Sequence, residues 1–204
     1  MAGDFSISLA LALRNPPAPS SDYDLNPELR LAPSRKLRAA AVLVAIDVSD
    51  PISRLWLTKR SSALEHHPGQ VAFPGGKQDE GDADLAQTAL REAQEEIGLA
   101  PESVEVLGAL SPHETVTGFL VTPIVGLIRK PFTPVPEAGE VSEVFAVPVS
   151  HVFDTDRFTI QSRRWRGQRR KYYTIPYGPY YIWGATARML YALADATEKE
   201  ADAA

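Results

Sequence analysis

Three carboxylates, Glu92, Glu95 and Glu96, follow Arg91 closely in the run Arg-Glu-Ala-Gln-Glu-Glu-Ile-Gly that ends at Gly98. In a helix, residues three and four apart are neighbours, so Glu92 sits beside both Glu95 and Glu96 on one face. Like charges at these spacings repel by roughly 0.2–0.5 kcal/mol per pair, a penalty that a bound cation reverses. Magnesium takes one or two carboxylates and completes an octahedral shell with water and phosphate oxygens. Glu92, Glu95 and Glu96 are therefore candidate ligands for Mg2+, with Mn2+ as an alternative ion that accepts the same hard oxygen donors. The chemistry that follows is metal-assisted attack of water on a diphosphate, with Glu95 or Glu96 able to take the water's proton. Arg91 lies four residues before Glu95, where a side-chain pair fixes the rotamer of the glutamate.

These groups need a rigid support, and the flanking residues supply one. Phe73-Pro74-Gly75-Gly76 leads through the acidic loop of Asp79, Glu80, Asp82 and Asp84 into a helix expected over about Ala83 to Ile97 and stopped at Gly98. Asp82 or Asp84 is the expected N-cap, and Asp84 with Gln87 three residues on is a capping-box analogue. Ala86, Ala89, Leu90, Ala93 and Ile97 recur at helical spacing and form the expected inward face. Gly75 and Gly76, having no β carbon, allow backbone to come close to a metal and a phosphate.

The segment resembles the signature of the Nudix hydrolases, whose glycine, spaced acid and Arg-Glu-x-x-Glu-Glu-x-Gly helix form a loop-helix-loop catalytic unit. The matching residues are Gly76, Arg91, Glu92, Glu95, Glu96 and Gly98. The interval from Gly76 to Arg91 is one residue longer than the usual box, and no glutamate stands at the spaced-acid position. Leu57-Thr58-Lys59-Arg60-Ser61, Gly69 and Phe73-Pro74-Gly75-Gly76 are similar to the motif of the coenzyme A diphosphatase subgroup. Ile182-Trp183-Gly184-Ala185-Thr186-Ala187-Arg188 looks like the segment that opens its C-terminal helix. Two positions depart from that motif: Glu65 replaces a basic residue and Trp56 a leucine, with His66 or His67 as substitute cationic donors or as ordinary loop histidines.

The resemblance implies hydrolysis of coenzyme A or its thioesters to 3',5'-ADP and 4'-phosphopantetheine. It makes Glu95, Glu96 and Arg91 catalytic, and Arg60, Ser61, Phe73, Gly75 and Gly76 substrate-binding. Alternatives are a Nudix hydrolase of another nucleoside diphosphate derivative, such as ADP-ribose or a dinucleotide, and a noncatalytic Nudix-like ligand sensor. The sensor should lack one or more metal glutamates, whereas all three are present.

Composition sets the outer bounds. With 204 residues, 44% of them hydrophobic, one domain with a sizeable core is expected. A net charge of -5 argues against general nucleic-acid binding and for a small-molecule partner. Without cysteine there is no disulfide, thiolate metal site or cysteine nucleophile, and a cytoplasmic location is consistent. No apolar run reaches the ~18 residues that a membrane span requires, and no membrane partner is expected.

Residues 1–36 are expected as an N-terminal extension, an apolar helix or strand and then a proline-containing arm that covers the core or the second copy of a homodimer. Residues 37–197 form the expected Nudix domain and 198–204 a flexible tail. Strands are expected at Ala39 to Ile46, Ile52 to Thr58, Val71 to Phe73, Val104 to Leu110, Leu120 to Ile128 and Glu143 to Val149. A short helical turn near Val152 and a last helix over Ala185 to Thr197 complete the set. This order fits an α/β fold with a mixed central sheet between helices, the alpha-beta-alpha sandwich that the Nudix resemblance also implies. Pro131 to Pro136 is expected as a loop walling the substrate cleft.

Two further groups have the composition of binding sites. Arg163, Arg164, Arg166, Arg169, Arg170 and Lys171, interleaved with Trp165, Tyr172 and Tyr173, suit either a hairpin that holds a phosphate and stacks on a base or a charged, aggregation-resistant edge. Glu137, Glu140 and Glu143, with His113 and Glu114 on another loop, are candidates for a general base or surface acids.

Overall fold

The computed structural model describes residues 2–29, 35–63, 68–165 and 167–203. Its centre is strand β2 (Arg38–Asp47), paired in parallel along its whole length with β8 (Phe119–Ile128). β3 (Arg54–Arg60) continues the sheet antiparallel to β2, with β4 (Val71–Ala72) and β9 (Val141–Pro148) both paired to it. β5 (Gly75–Lys77) joins the near end of β2, and β6 (Val104–Ala109) and β7 (His113–Glu114) join β8. A two-residue strand, β1 (Ser20–Ser21), closes the far edge in parallel with β7. The result is the mixed sheet expected from the order of elements.

β2 explains why its sequence is apolar without alternation. Ala41, Leu43 and Ala45 pack into one cluster with Ala89, Ala93 and Ile97 of α2 (Leu85–Ile97). Ala40, Val44 and Ile46 pack into another with Leu190 and Leu193 of α4 (Gly184–Asp202) and Leu9 of α1 (Ala2–Arg14). Helices cover both faces, so both sets of alternating side chains are buried.

Several boundaries differ from expectation. The N-terminal helix lays Leu9 and Ala12 into the core of its own chain, and β1 ties the arm to the sheet. α4 runs to Asp202 rather than stopping at Thr197, because Lys199 pairs with Asp195 one turn back and Thr155 donates a hydrogen bond to Glu198. The segment expected as a flexible tail is thus helical through residue 202. The proline loop lies across the end of α2, where Val135 N donates to Ile97 O at 2.9 Å and Phe132 meets Trp56 edge to face. Trp56 is held by its own donation to buried Asp47, which accounts for an indole on this strand. The basic segment forms a separate hairpin of β10 (Thr159–Trp165) and β11 (Gln168–Thr174). The short turn near Val152 is α3 (Val149–Val152). Among the described residues no helix is long and apolar enough to cross a membrane.

Candidate active site

The four loop acids before α2 divide between distinct tasks. Asp84 is the N-cap and accepts from Gln87 N at 2.8 Å, while Gln87 Oε1 accepts from Ala83 N, one residue short of a regular capping box. Asp82 instead reaches Arg91 through two parallel bonds, Nε to Oδ1 and Nη2 to Oδ2, each 3.0 Å. It also accepts from Thr88 Oγ1 and Asp79 N. The Arg91 hydrogen bonds hold the Asp82 carboxyl well below the usual range, and the same contacts raise Arg91 further above its ordinary value. Asp82 is thus the loop acid that anchors Arg91, while Asp84 caps the helix.

With its remaining donors Arg91 holds the glutamates. Nη1 lies 3.0 Å from Glu92 Oε1 and 3.1 Å from Glu95 Oε2, and Nη2 donates to the carbonyl of Lys77. One guanidinium therefore joins the acidic loop, the glycine strand and the helix in a single rigid unit.

The three glutamates do not share one environment, contrary to the expectation of a single face. Successive helical residues are rotated by about 100°, so Glu95 and Glu96 diverge. Glu95 has 59% of its side chain exposed and Glu96 only 7%. Glu96 Oε2 accepts from Gly75 N at 3.2 Å, and Oε1 lies 3.9 Å from Arg60 Nη1. Burial pushes its carboxyl up to about 7, against the pull of the Gly75 N–H and of Arg60. Glu92 is also raised, first by burial and then by the charges of Glu95 and Asp79, with Arg91 opposing. On the inward face Ala89, Ala93 and Ile97 are fully buried as expected, whereas Ala86 and Leu90 sit half-buried at its margin.

Both glycines are required by close approach, for different reasons. A β carbon on Gly75 would lie 2.4 Å from the Ala41 carbonyl oxygen and 2.6 Å from Val42 Cα, and its φ of +156° disfavours a side chain independently. A β carbon on Gly76 would lie 2.4–2.5 Å from the Glu92 carboxylate and would push that group from its place.

Of the other candidates, Ser61 donates its N–H to Glu140 O at 2.7 Å, joining the end of β3 to the loop before β9. Phe73 is almost fully buried. Glu137 is committed to its own turn, accepting from Gly139 N and Glu140 N. The charge of Glu140 helps raise Glu96, whereas Glu143 accepts from the Tyr180 hydroxyl. His113 is buried between Ser20 Oγ and Asp22 Oδ1, and Glu114 pairs with Arg35, so this loop fastens the N-terminal arm. Glu65, His66 and His67 lie outside the described residues. The Arg60–Glu96 and Asp82–Arg91 contacts join residues distant in sequence, and only the coincidence of the glycine, acidic and glutamate motifs hinted at them.

Among the described residues no three acids or histidines are already gathered as a closed metal cage. Glu92 and Glu96 nevertheless suit a hard divalent cation: burial raises both carboxylates, a cost that a cation offsets, and a half-site completed by water and phosphate oxygens is what magnesium uses.

A cavity of about 320 Å³ opens beside this unit, between the hairpin, the start of α4 and the loop after β7. Its lining includes Val42, Ala72 and Phe73 but none of the three glutamates, and the proline loop expected as a wall takes no part. Val42 is registered opposite Gly75 and packs on the α4 side of the sheet, so the cavity borders the glycine turn from the face opposite α2.

The loop-helix-loop unit on this sandwich is that of a Nudix hydrolase, and the NUDIX domain family model matches residues 36–168. The chain belongs to the Nudix family and is a hydrolase of diphosphate bonds in nucleoside diphosphate derivatives. A protein of Pectobacterium atrosepticum named uncharacterized Nudix hydrolase NudL is 44% identical over 170 residues, covering 83% of this chain and 87% of that one. A Klebsiella pneumoniae protein of the same name is 45% identical over 169 residues, covering 81% and 88%. Among solved structures, the Nudix hydrolase RenU of M. smegmatis aligns with a TM-score of 0.48 at 25% identity, over 57% of this chain and 74% of its own.

Proposed function

We propose that the protein hydrolyses the diphosphate of coenzyme A or its thioesters to 3',5'-ADP and 4'-phosphopantetheine or its acyl form. The supporting observation is the junction at Gly75, where buried Glu96 accepts a backbone N–H beside Glu92 and Arg60. The subgroup motif supplies Arg60 there, and the motif turn of Phe73 to Gly76 forms the junction itself. Glu92, Glu95 and Glu96 would hold Mg2+, or Mn2+ in its place, with Glu95 brought in from its outward position. The metal, when bound, polarises the phosphoryl oxygens and lowers the pKa of water.

The chain's own groups do the rest. Gly75 and Gly76 let the diphosphate approach the backbone, and Arg60 neutralises phosphate charge while Ser61 and Phe73 border the leaving segment. Arg91 holds Glu92 and Glu95 in register with the turn. Glu96, buried against the Gly75 N–H, accepts the proton of the attacking water. Oxygen of that water joins one phosphorus, the bond from that phosphorus to the bridging oxygen breaks, and two phosphate monoesters leave.

The test is incubation of the purified protein and magnesium with coenzyme A, ADP-ribose and NADH separately, with products resolved by chromatography and mass. Fastest release of 3',5'-ADP from coenzyme A, abolished by a chelator and restored by Mg2+, is expected. No cleavage of coenzyme A with turnover of ADP-ribose or NADH would overturn the substrate, and turnover undiminished by the chelator would overturn the metal.

A further inference from the structure

The hairpin places Arg163 directly opposite Arg170, and Arg164 opposite Arg169. Like charges facing each other across a strand pair are destabilising, so the pairing calls for an anion. Arg163, Arg170 and Lys171 all line the cavity beside the glycine turn, together with Tyr172 and Trp183. The Arg163 guanidinium lies 4.2 Å above the Trp183 ring, and Tyr172 meets that ring edge to face. Among the described residues no carboxylate forms an ion pair with Arg163 or Lys171. Of the cavity's two acids, Asp24 pairs with Arg188, and Asp22, which accepts from Val116 N and meets His113, also feels the charge of Arg170, so Arg163 and Lys171 are the cations left to an anionic ligand.

From Ala72, on the cavity wall, to Gly75, which binds Glu96, is three residues of chain, at most ~10 Å when extended. A ligand with its diphosphate at Glu96 that passes the glycine turn meets the cavity wall within the length of a nucleoside.

We propose that this cavity receives a nucleoside carrying a second phosphate, a monoester on its ribose, with Arg163 and Lys171 as anion ligands and Trp183 beside the base. This rests on the coenzyme A reading for its place in the reaction, because coenzyme A carries such a 3'-phosphate and ADP-ribose does not. Arg163 and Lys171 are exposed and their truncation leaves the core intact.

Two measurements on the full chain test it. Calorimetry compares 3',5'-ADP with 5'-AMP, and turnover compares coenzyme A with dephospho-coenzyme A, each for the parent, Arg163→Gln and Lys171→Gln. Charged hydrogen bonds to phosphate correspond to at least ~10-fold in affinity, so 3',5'-ADP should bind about tenfold more tightly than 5'-AMP to the parent. Each variant should shrink that ratio, and the matching ratio of kcat/KM, by several-fold. Equal binding of the two nucleotides, or a preference untouched in both variants, overturns the site. If coenzyme A is cleaved without such discrimination, the cavity assignment fails and the reaction stands. If 3',5'-ADP binds selectively while coenzyme A is not cleaved, the site stands and the reaction fails.

Discussion

Alanine at Gly76 and alanine at Gly75 should damage the protein in opposite ways. At Gly76 the added carbon would meet the Glu92 carboxylate at 2.4–2.5 Å. Comfortable contact needs about 3.5–4.0 Å, so the carboxylate must retreat by roughly 1 Å. The obstacle is the free end of a flexible side chain, and the φ of Gly76 lies outside the range that penalises a side chain. Stability should therefore stay within about 1 kcal/mol of the parent, since alanine also restricts the unfolded chain. A 1 Å misplacement of a reacting group lowers turnover by ~100-fold, and that loss in kcat/KM is expected. At Gly75 the obstacles are the Ala41 carbonyl and Val42 Cα, backbone atoms of the central strand that have nowhere to move. Overpacking costs about 1–3 kcal/mol and strain at a positive φ about as much again. For a chain of this size each kcal/mol lowers Tm by about 2–4 °C, so Gly75→Ala should melt roughly 4–24 °C below the parent. Thermal unfolding and steady-state kinetics on both variants decide the matter. Parental activity in Gly76→Ala, or an equal fall in Tm for the two, would refute the assignment of Gly76 to positioning Glu92.

Glu96→Gln should retain the fold and lose most turnover, measured against coenzyme A with Mg2+. In metal-free parent protein, the Glu96 carboxyl is raised to about 7 when folded, so between its ordinary value of 4.5 and 7 the folded state holds a proton that the unfolded state has released. Stability should consequently fall as pH rises through that window, by up to roughly 3 kcal/mol. Urea titrations in chelator at pH 5 and pH 8 would show the loss in the parent and a smaller one in Glu96→Gln. Asp82→Asn removes the anchor of Arg91, and groups that orient metal ligands alter affinity or activity by ~10–100-fold. A magnesium titration of kcat/KM should show that loss, and an unchanged curve would reduce Asp82 to a loop cap. His113→Ala leaves the buried Ser20 hydroxyl and Asp22 without their partner, which should cost about 1–3 kcal/mol in chemical denaturation.

The site was legible where its signal is local. Gly98, with φ +73°, ends α2 where the sequence places a helix stop, and Asp84 caps it through a contact three residues long. Arg91 meets Glu95 because i and i+4 are neighbours on any helix. Asp82 was not legible as the partner of Arg91, since a loop one residue longer than the usual box leaves several acids equally able to reach. His113 and Glu114 looked available for chemistry only because their partners, Ser20, Asp22 and Arg35, lie far away along the chain.

What the sequence by itself determined is the alternation of strands and helices, the two-sided burial of β2 and the presence of a diphosphate-hydrolysing motif, because each rests on periodicity or spacing within a short segment. Only the tertiary structure decided which glutamate is buried, that Gly75 must pass against β2 while Gly76 faces Glu92, and that the basic hairpin closes over a cavity adjoining the glycine turn. Those outcomes depend on the environment that other elements impose on a side chain. Burial raises Glu96 and Arg91 holds Glu95 outward, although the two glutamates are adjacent and chemically identical in the chain.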